Sequence, residues 1–365
     1  MFQNKEKISG NQALALVLAG GIGTIFEVVA TFAIKDAGRD GWLSVLIAYG
    51  LAAIVGFILL NLGKRFPNKT FVQYLPLVLG KIPGKIAGLA YILGWWIMTP
   101  VIIRSDIELI RFFLPTTPLL ILIILMVLLV MYVMGKGFEV FARTAELFVI
   151  LVIFSIILIL GLNTFNVNFK NLTPILANGF APVLKSLIVQ FAFAIETILF
   201  MALWLPCLNK HKGGARAVVW GISISGVLLT VLVAAFVGFT GTSLTPRMLF
   251  PIFYMSRYIQ IGGFLTGLEA IFMLLWLISS YLEILVFSYP SVVGLAQWLN
   301  LKDYKPLILP MTVITIVLSI LPTNMLEVSK LDALKNPTII IPLALLIPLT
   351  WLIAIIRNLK EKESI

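Results

Sequence analysis

Ten transmembrane helices in two sets of five, the second set inverted in the membrane relative to the first, form the fold that this 365-residue chain predicts. Three observations lead there. The chain is 60% hydrophobic and 12% charged, with a mean hydropathy of +1.07, which leaves too little polar surface to cover a soluble core. Its apolar runs are long enough to cross a hydrocarbon layer about 30 Å thick, which takes about 20 residues of helix. An outer loop near residue 170 divides those runs evenly, and an odd number in each part forces the two parts into opposite orientations. The predicted class is an all-α polytopic membrane protein, one domain over residues 1–365 with repeats at approximately 11–162 and 182–356.

The crossings are expected at 11–34, 43–62, 85–113, 118–134, 138–162, 182–206, 217–241, 262–289, 307–322 and 338–356. The opening MFQNKEKISGNQ imitates a signal peptide, but no small-x-small cleavage site follows, so the first run is read as a span that stays. After the second crossing, GKRFPNKTFVQYLPLVLGK is long enough for a short interfacial helix. The fifth opens with GFEVFARTAE, where Glu139, Arg143 and Glu146 recur at helical spacing and suit an interfacial network or inner gate. Before the sixth lies the polar NTFNVNFKNLTPILANGFAP, expected to pack on the surface. Between the seventh and eighth, residues 242–263 mix aromatic, Pro and Arg side chains, which is more structure than a tether needs and suits a lid.

An even number of crossings puts both termini on one side. Basic residues such as Lys64, Arg65, Lys69, Lys81, Lys85, Lys136, Arg216, Lys302 and Lys305 gather there, with about half as many opposite, among them Arg39, Lys170, Arg247 and Arg257. That bias marks the termini as cytoplasmic. The net charge of +11 is then accounted for by loops facing anionic membrane lipid rather than by nucleic acid. Cys207 is the only cysteine and His211 the only histidine, so neither an intramolecular disulfide nor a Cys/His metal cluster can form. No cofactor and no enzymatic constellation is indicated.

Function is expected where polar groups enter the spans. Gly20-Gly21-Ile22-Gly23-Thr24 sits about halfway along the first crossing, where glycine weakens a helix and lets bare backbone approach a ligand. A helix restarted after Gly23 would present free N–H groups to an anion; the alternative is that the glycines serve close helix packing. Glu196, mid-span in the sixth crossing with no basic residue within a turn, would receive a ligand ammonium, carry a proton, or hydrogen-bond another helix as a neutral acid. Arg104 and Glu108 share a face of the third crossing, as a gate or a structural pair. In the eighth, Glu269 is within reach of Arg257 or Arg247, while Ser279 and Ser280 lie nearer mid-depth, with Glu283 below them. Those serines would hold an ion or, more simply, bond back to helix carbonyls. Glu27 is either cavity-facing or the partner of Lys35 or Arg39.

Several stretches together resemble a known family: ISGNQ, DAGRDGW, RSDIELIRFFLPTTP, GFEVFARTAE, NLTPIL and FPIFYMSRYIQIGGF, in that order along the whole chain. They are similar to the B subunit of endospore germinant receptors, the spore germination permease family, within the amino acid/polyamine/organocation (APC) transporter superfamily. The resemblance implies a LeuT-like fold with discontinuous first and sixth helices, residence in the inner membrane of the endospore, and sensing of a small nutrient such as an amino acid together with A and C subunits. It places the ligand site at Gly20, Gly21, Gly23 and Thr24 on the first helix and at Phe193, Ala194 and Glu196 on the sixth. The family often has a proline shortly after the first-span glycines, where this chain has Val28-Val29-Ala30 preceded by Glu27. A self-sufficient amino acid carrier, proton-coupled through Glu196, is the competing function.

Overall fold

A computed structural model describes residues 7–23, 29–208, 211–248, 250–259 and 269–361. The described residues are almost entirely helical, as hydrocarbon requires of a chain that must satisfy its backbone polar groups within each segment. The described parts of the first crossing are α1 (Gly10–Gly23) and α2 (Val29–Ala37). A 3-10 turn at Gly38–Asp40 leads into α3 (Gly41–Arg65). Gly41 lies so near Ala33 that a Cβ would fall 2.8 Å from its carbonyl, a distance possible only if α2 and α3 double back on each other. The interfacial helix expected after the second crossing is α4 (Phe71–Leu79), started by a capping box between Thr70 and Gln73. It is more than interfacial, since Phe71, Tyr74 and Leu75 are buried in the protein.

The third crossing is two helices, α5 (Lys81–Trp96) and α6 (Met98–Phe113), and α7 (Leu119–Lys136) and α8 (Phe138–Leu162) complete the first five. The sixth crossing, α9 (Ala181–Met201), gives way to turns and a 3-10 segment at Leu205–Cys207. Then come α10 (His211–Leu244), the short α11 (Pro251–Arg257) within the loop read as a lid, and α12 (Glu269–Trp298), which runs on past the end expected near 289. The ninth crossing, α13 (Lys305–Ile320), bends by 118° into α14 (Met325–Lys335), a helix that the sequence reading left as outer loop. A π-helical turn at Asn336–Ile340 precedes α15 (Ile341–Ile356).

Among the described residues, eight helical stretches are long and apolar enough to cross a membrane, nine with the bent α13–α14 pair; one of the eight, Val29–Arg65, joins α2 to α3, and α1 is a further, shorter apolar helix. Burial separates inner from outer helices. Every residue from Ala15 to Gly23 of α1 and from Ala192 to Met201 of α9 is buried, whereas α7 leaves Leu125, Leu128 and Leu129 exposed, as a lipid-facing helix does. α1 and α9 are therefore the centre of the bundle, with α3, α8, α10 and α12 around α1 or α9.

Both ends of the bundle are tied by specific bonds. On the side of the termini, the Ile8 amide donates to the Cys207 carbonyl at 2.9 Å and Lys7 Nζ to that of Pro206 at 3.1 Å. The C-terminal segment lies on the α3–α4 connection, where the Glu361 amide donates to the Arg65 carbonyl at 2.8 Å and its carboxylate pairs with Lys69. At the opposite end, two of the stretches quoted above meet. In DAGRDGW, Arg39 donates to the Thr173 carbonyl and Asp40 accepts from the Leu176 amide at 3.0 Å, both in NLTPIL.

Candidate functional site

Gly20, Gly21 and Gly23 of α1 lie in the middle of the protein, and three helices close on them. α9 presents Gln190, Phe193, Ala194 and Thr197, spaced three and four apart and so on one face. That face borders the first crossing on both sides of residues 24–28. Gln190 Nε2 donates to the Val29 carbonyl at 3.4 Å and Phe193 stacks on Phe32 of α2 at 6.4 Å, while Thr197 lies against Gly20 and Gly21 of α1. Glu196, next to Thr197, is 2% exposed.

The glycines of α1 differ in how much room they have. A Cβ on Gly20 would meet Thr197 Oγ1 and Val286 Cγ1 at 3.6 Å, an ordinary contact. On Gly21 it would fall 2.6 Å from Ser225 Oγ of α10, and on Gly23 2.8 Å from the carboxyl carbon and 2.9 Å from Cβ of Glu283 of α12. Backbone at Gly21 and Gly23 is therefore in direct contact with polar side chains of two other helices. The Gly21 carbonyl accepts from Tyr49 Oη of α3 at 3.1 Å.

Three buried polar side chains thus gather around the glycines of α1, Thr197, Ser225 and Glu283, each at most 2% exposed, with Glu196 equally buried next to Thr197 on α9. Thr197 Oγ1 and Ser225 Oγ have no hydrogen-bond partner among the described residues, which in a protein interior marks an unmet demand for one. The buried base nearest in kind, Arg104, is committed elsewhere. Its Nε and Nη2 donate to Glu108 Oε1 at 2.9 and 2.6 Å, and its Nη1 to the Ser319 and Ile320 carbonyls, which α13 leaves open at its C-terminus. The cluster at Gly23 is rich in carboxylate and hydroxyl oxygen.

α12 is placed by a proline. Pro290 has no N–H, so the Val286 carbonyl four residues earlier lacks its helical partner. Trp95 Nε1 of α5 donates to that carbonyl at 3.3 Å, and its ring stacks on Phe287 at 4.5 Å. One turn back from Val286, α12 then aims Glu283 at Gly23.

The remaining candidates are spread over the molecule. Ser280 donates to Asp106 of α6, so it joins helices rather than bonding back within its own, and Ser279 is buried beside it. Arg104–Glu108–Arg111 forms a chain on α6 that also caps α13. Glu139–Arg143 is an exposed pair at 2.5 Å on the first turns of α8. Glu269 makes no ion pair with Arg247 or Arg257 among the described residues, against the sequence expectation. Thr24 and Glu27 lie outside the described residues, as does part of the 242–263 loop. Sequence reasoning missed Thr197 and Ser225 as site residues and gave Glu283 no role. The available signal was GISISG at 221–226, a hydroxyl next to a glycine in an apolar helix.

Comparison with known proteins agrees with this architecture. The chain is similar to spore germination protein KB of Bacillus subtilis (strain 168), 28% identical with 99% of this chain and 97% of that one covered. It is also similar to YndE of the same organism, at 26% over 89% and 90%. Among solved structures, MhsT in complex with L-phenylalanine superposes with a TM-score of 0.68 at 14% identity, covering 95% of this chain and 88% of that one. The fold is thus that of LeuT-like transporters. The family description "Spore germination protein" matches residues 7–328, so this integral membrane protein belongs to the spore germination permease family.

Proposed function

We propose that the protein is the nutrient-sensing membrane subunit of a spore germinant receptor, binding a small germinant such as an amino acid at the end of α1 and triggering germination with A and C subunits. The observation that carries this reading is the meeting of the α1 glycines with Thr197, Ser225 and Glu283 at the centre of the bundle, where Glu196 is buried next to Thr197. Carboxylates inside a membrane protein are costly, so Glu196 and Glu283 mark a polar centre suited to the ammonium group of a small ligand. Backbone amides around the break are the complementary partners for the ligand's carboxylate. Gly20, Gly21, Gly23, Thr24, Phe193, Ala194 and Glu196 form the site, to which Thr197, Ser225 and Glu283 are added. Arg104–Glu108, Glu139–Arg143, Glu27, Glu269, Ser279 and Ser280 act in gating or in the networks around it. The chain works as one domain of two inverted repeats, in the inner membrane of the endospore with both termini in the cytoplasm, and without catalysis.

The test is the nutrient dose–response of spores carrying Glu196→Gln at matched protein abundance. The substitution keeps size and hydrogen bonding and removes charge, so the required concentration rises about tenfold for each ~1.4 kcal/mol of attraction lost. A curve that overlays the unmodified protein removes Glu196 from the site. The alternative, an amino acid carrier, draws on the likeness to MhsT, a protein solved with L-phenylalanine bound. Uptake of labelled amino acid into vesicles containing this chain alone favours that alternative; binding without uptake favours the sensor.

A further inference from the structure

A second cleft lies at the end of the bundle opposite the termini, far along the chain from the glycine break. The last turn of α6, the loop around α11 and Met325 at the start of α14 enclose about 270 Å³. Its walls are aromatic: Phe112 and Phe113 on one side, Phe250, Phe253 and Tyr254 on the other. Phe253 is held in place by Phe113 at 5.8 Å and by an edge contact to Trp276 at 5.8 Å. Asn163 Nδ2 fixes the next turn through the Met255 carbonyl at 3.2 Å, so the α11 wall is built rather than loose.

The charges on this cleft do not balance. Arg247 and Arg257 line it with Glu108. Both oxygens of Glu108 are already engaged, Oε1 by Arg104 at 2.6 and 2.9 Å and Oε2 by Arg111 at 3.4 Å. Neither Arg247 nor Arg257 has an ion pair among the described residues. By contrast Arg39, Arg65 and Arg357 each bond a backbone carbonyl, and Arg143 a carboxylate. Two guanidinium groups with no ion pair among the described residues, set at an aromatic cleft, are chemically matched to a carboxylate on an apolar body: the fork of each guanidinium fits a carboxylate, and the rings take the remainder.

We propose that this cleft binds a small organic monocarboxylate with an aromatic or branched aliphatic body, at a site separate from the glycine break. The anion is taken from solution, because a volume near the lower end of ligand pockets suits a molecule of that size. The anionic headgroup of a lipid shares the same chemistry and is separated by experiment.

The probe is 3-phenylpropionate, measured by equilibrium dialysis against the full chain in nanodiscs of phosphatidylcholine. Saturable binding is expected, weakened at least tenfold by Arg247→Gln with Arg257→Gln, and at least tenfold weaker for the uncharged analogue 3-phenylpropanol. Both arginines are exposed, so the double variant keeps the bundle intact. Tyr254→Ala, which shortens the aromatic wall, is expected to weaken the probe several-fold while leaving its salt sensitivity unchanged. Equal binding by the double variant, or by the alcohol, overturns the proposal. So does loss of the probe when phosphatidylglycerol replaces phosphatidylcholine, since a lipid headgroup then owns the cleft. Spores unresponsive through Glu196→Gln leave this measurement untouched, so the two readings fail separately.

Discussion

α1 and α9 meet their neighbours in opposite ways: α1 through glycines that it carries itself, and α9, which ends at Met201 with no glycine near, through donors from other segments. In α1 small residues let Glu283 and Ser225 come up to bare backbone. In α9 the end of the helix is held from outside. The Leu199 carbonyl accepts from Tyr91 Oη of α5 at 2.6 Å, the Ala202 carbonyl from the Phe71 amide that starts α4 at 3.1 Å, and the Cys207 carbonyl from the Ile8 amide at 2.9 Å. Each donor comes from another segment and takes a carbonyl near the end of the helix. The meeting of helices in a membrane can thus be written in a helix's own residues or in those of its neighbours, and only the first kind is visible by reading along the helix.

The contrast can be broken most forcefully at Gly23. Gly23→Ala puts a Cβ 2.9 Å from that of Glu283, which rotamer change alone cannot relieve; nutrient response of the spores should be lost while protein remains in the membrane. An unchanged response would mean that α1 and α12 do not hold this approach in the working protein. Next in size is Tyr91→Phe, which deserts the Leu199 carbonyl while keeping the ring. A buried acceptor left unsatisfied costs about 1–3 kcal/mol, so thermal unfolding in detergent should shift down, with little change if water replaces the hydroxyl. Gly20→Ala sharpens the comparison in the opposite sense. Its Cβ meets only ordinary contacts at 3.6 Å, and alanine favours helix over glycine by roughly 0.5–1 kcal/mol, so stability should hold or rise and the dose–response should stay near that of the unmodified protein. The smallest effect belongs to Arg143→Ala. An exposed pair is worth about 0.2–1 kcal/mol, and germination that fails in this variant would instead make Glu139–Arg143 a gate.

Hydropathy was sufficient for the crossings because every one of them buries or exposes apolar residues in runs. It failed at the 118° bend after Ile320 and at α14, whose MLEVSKLDALK has no apolar run to announce it and is shaped by packing against α6. The division of the third crossing at Ile97 was equally silent, since a turn between two apolar helices leaves hydropathy unchanged. In the site, Gly20, Gly21, Gly23 and Glu196 stood out as residues expensive to place in a span. Thr197 and Ser225 did not, because a hydroxyl in a helix usually bonds its own backbone and carries little signal. Glu283 was conspicuous as a charge, but its meeting with Gly23 depends on how α12 is rotated, which Pro290 and Trp95 decide from a distance of many residues in sequence. The same applies to Asp106, whose partner Ser280 lies on another helix.

That tie between Trp95 and the carbonyl exposed by Pro290 also bears on how the family can change over generations. A lineage that loses the tryptophan first strands a carbonyl in an apolar interior, and one that loses the proline first gives that carbonyl back its own helical amide and leaves the indole without an acceptor. Either single step is a handicap, while the double step is close to neutral, so the two positions should be inherited together or replaced together. Descent, on this account, treats two residues nearly two hundred positions apart as one character.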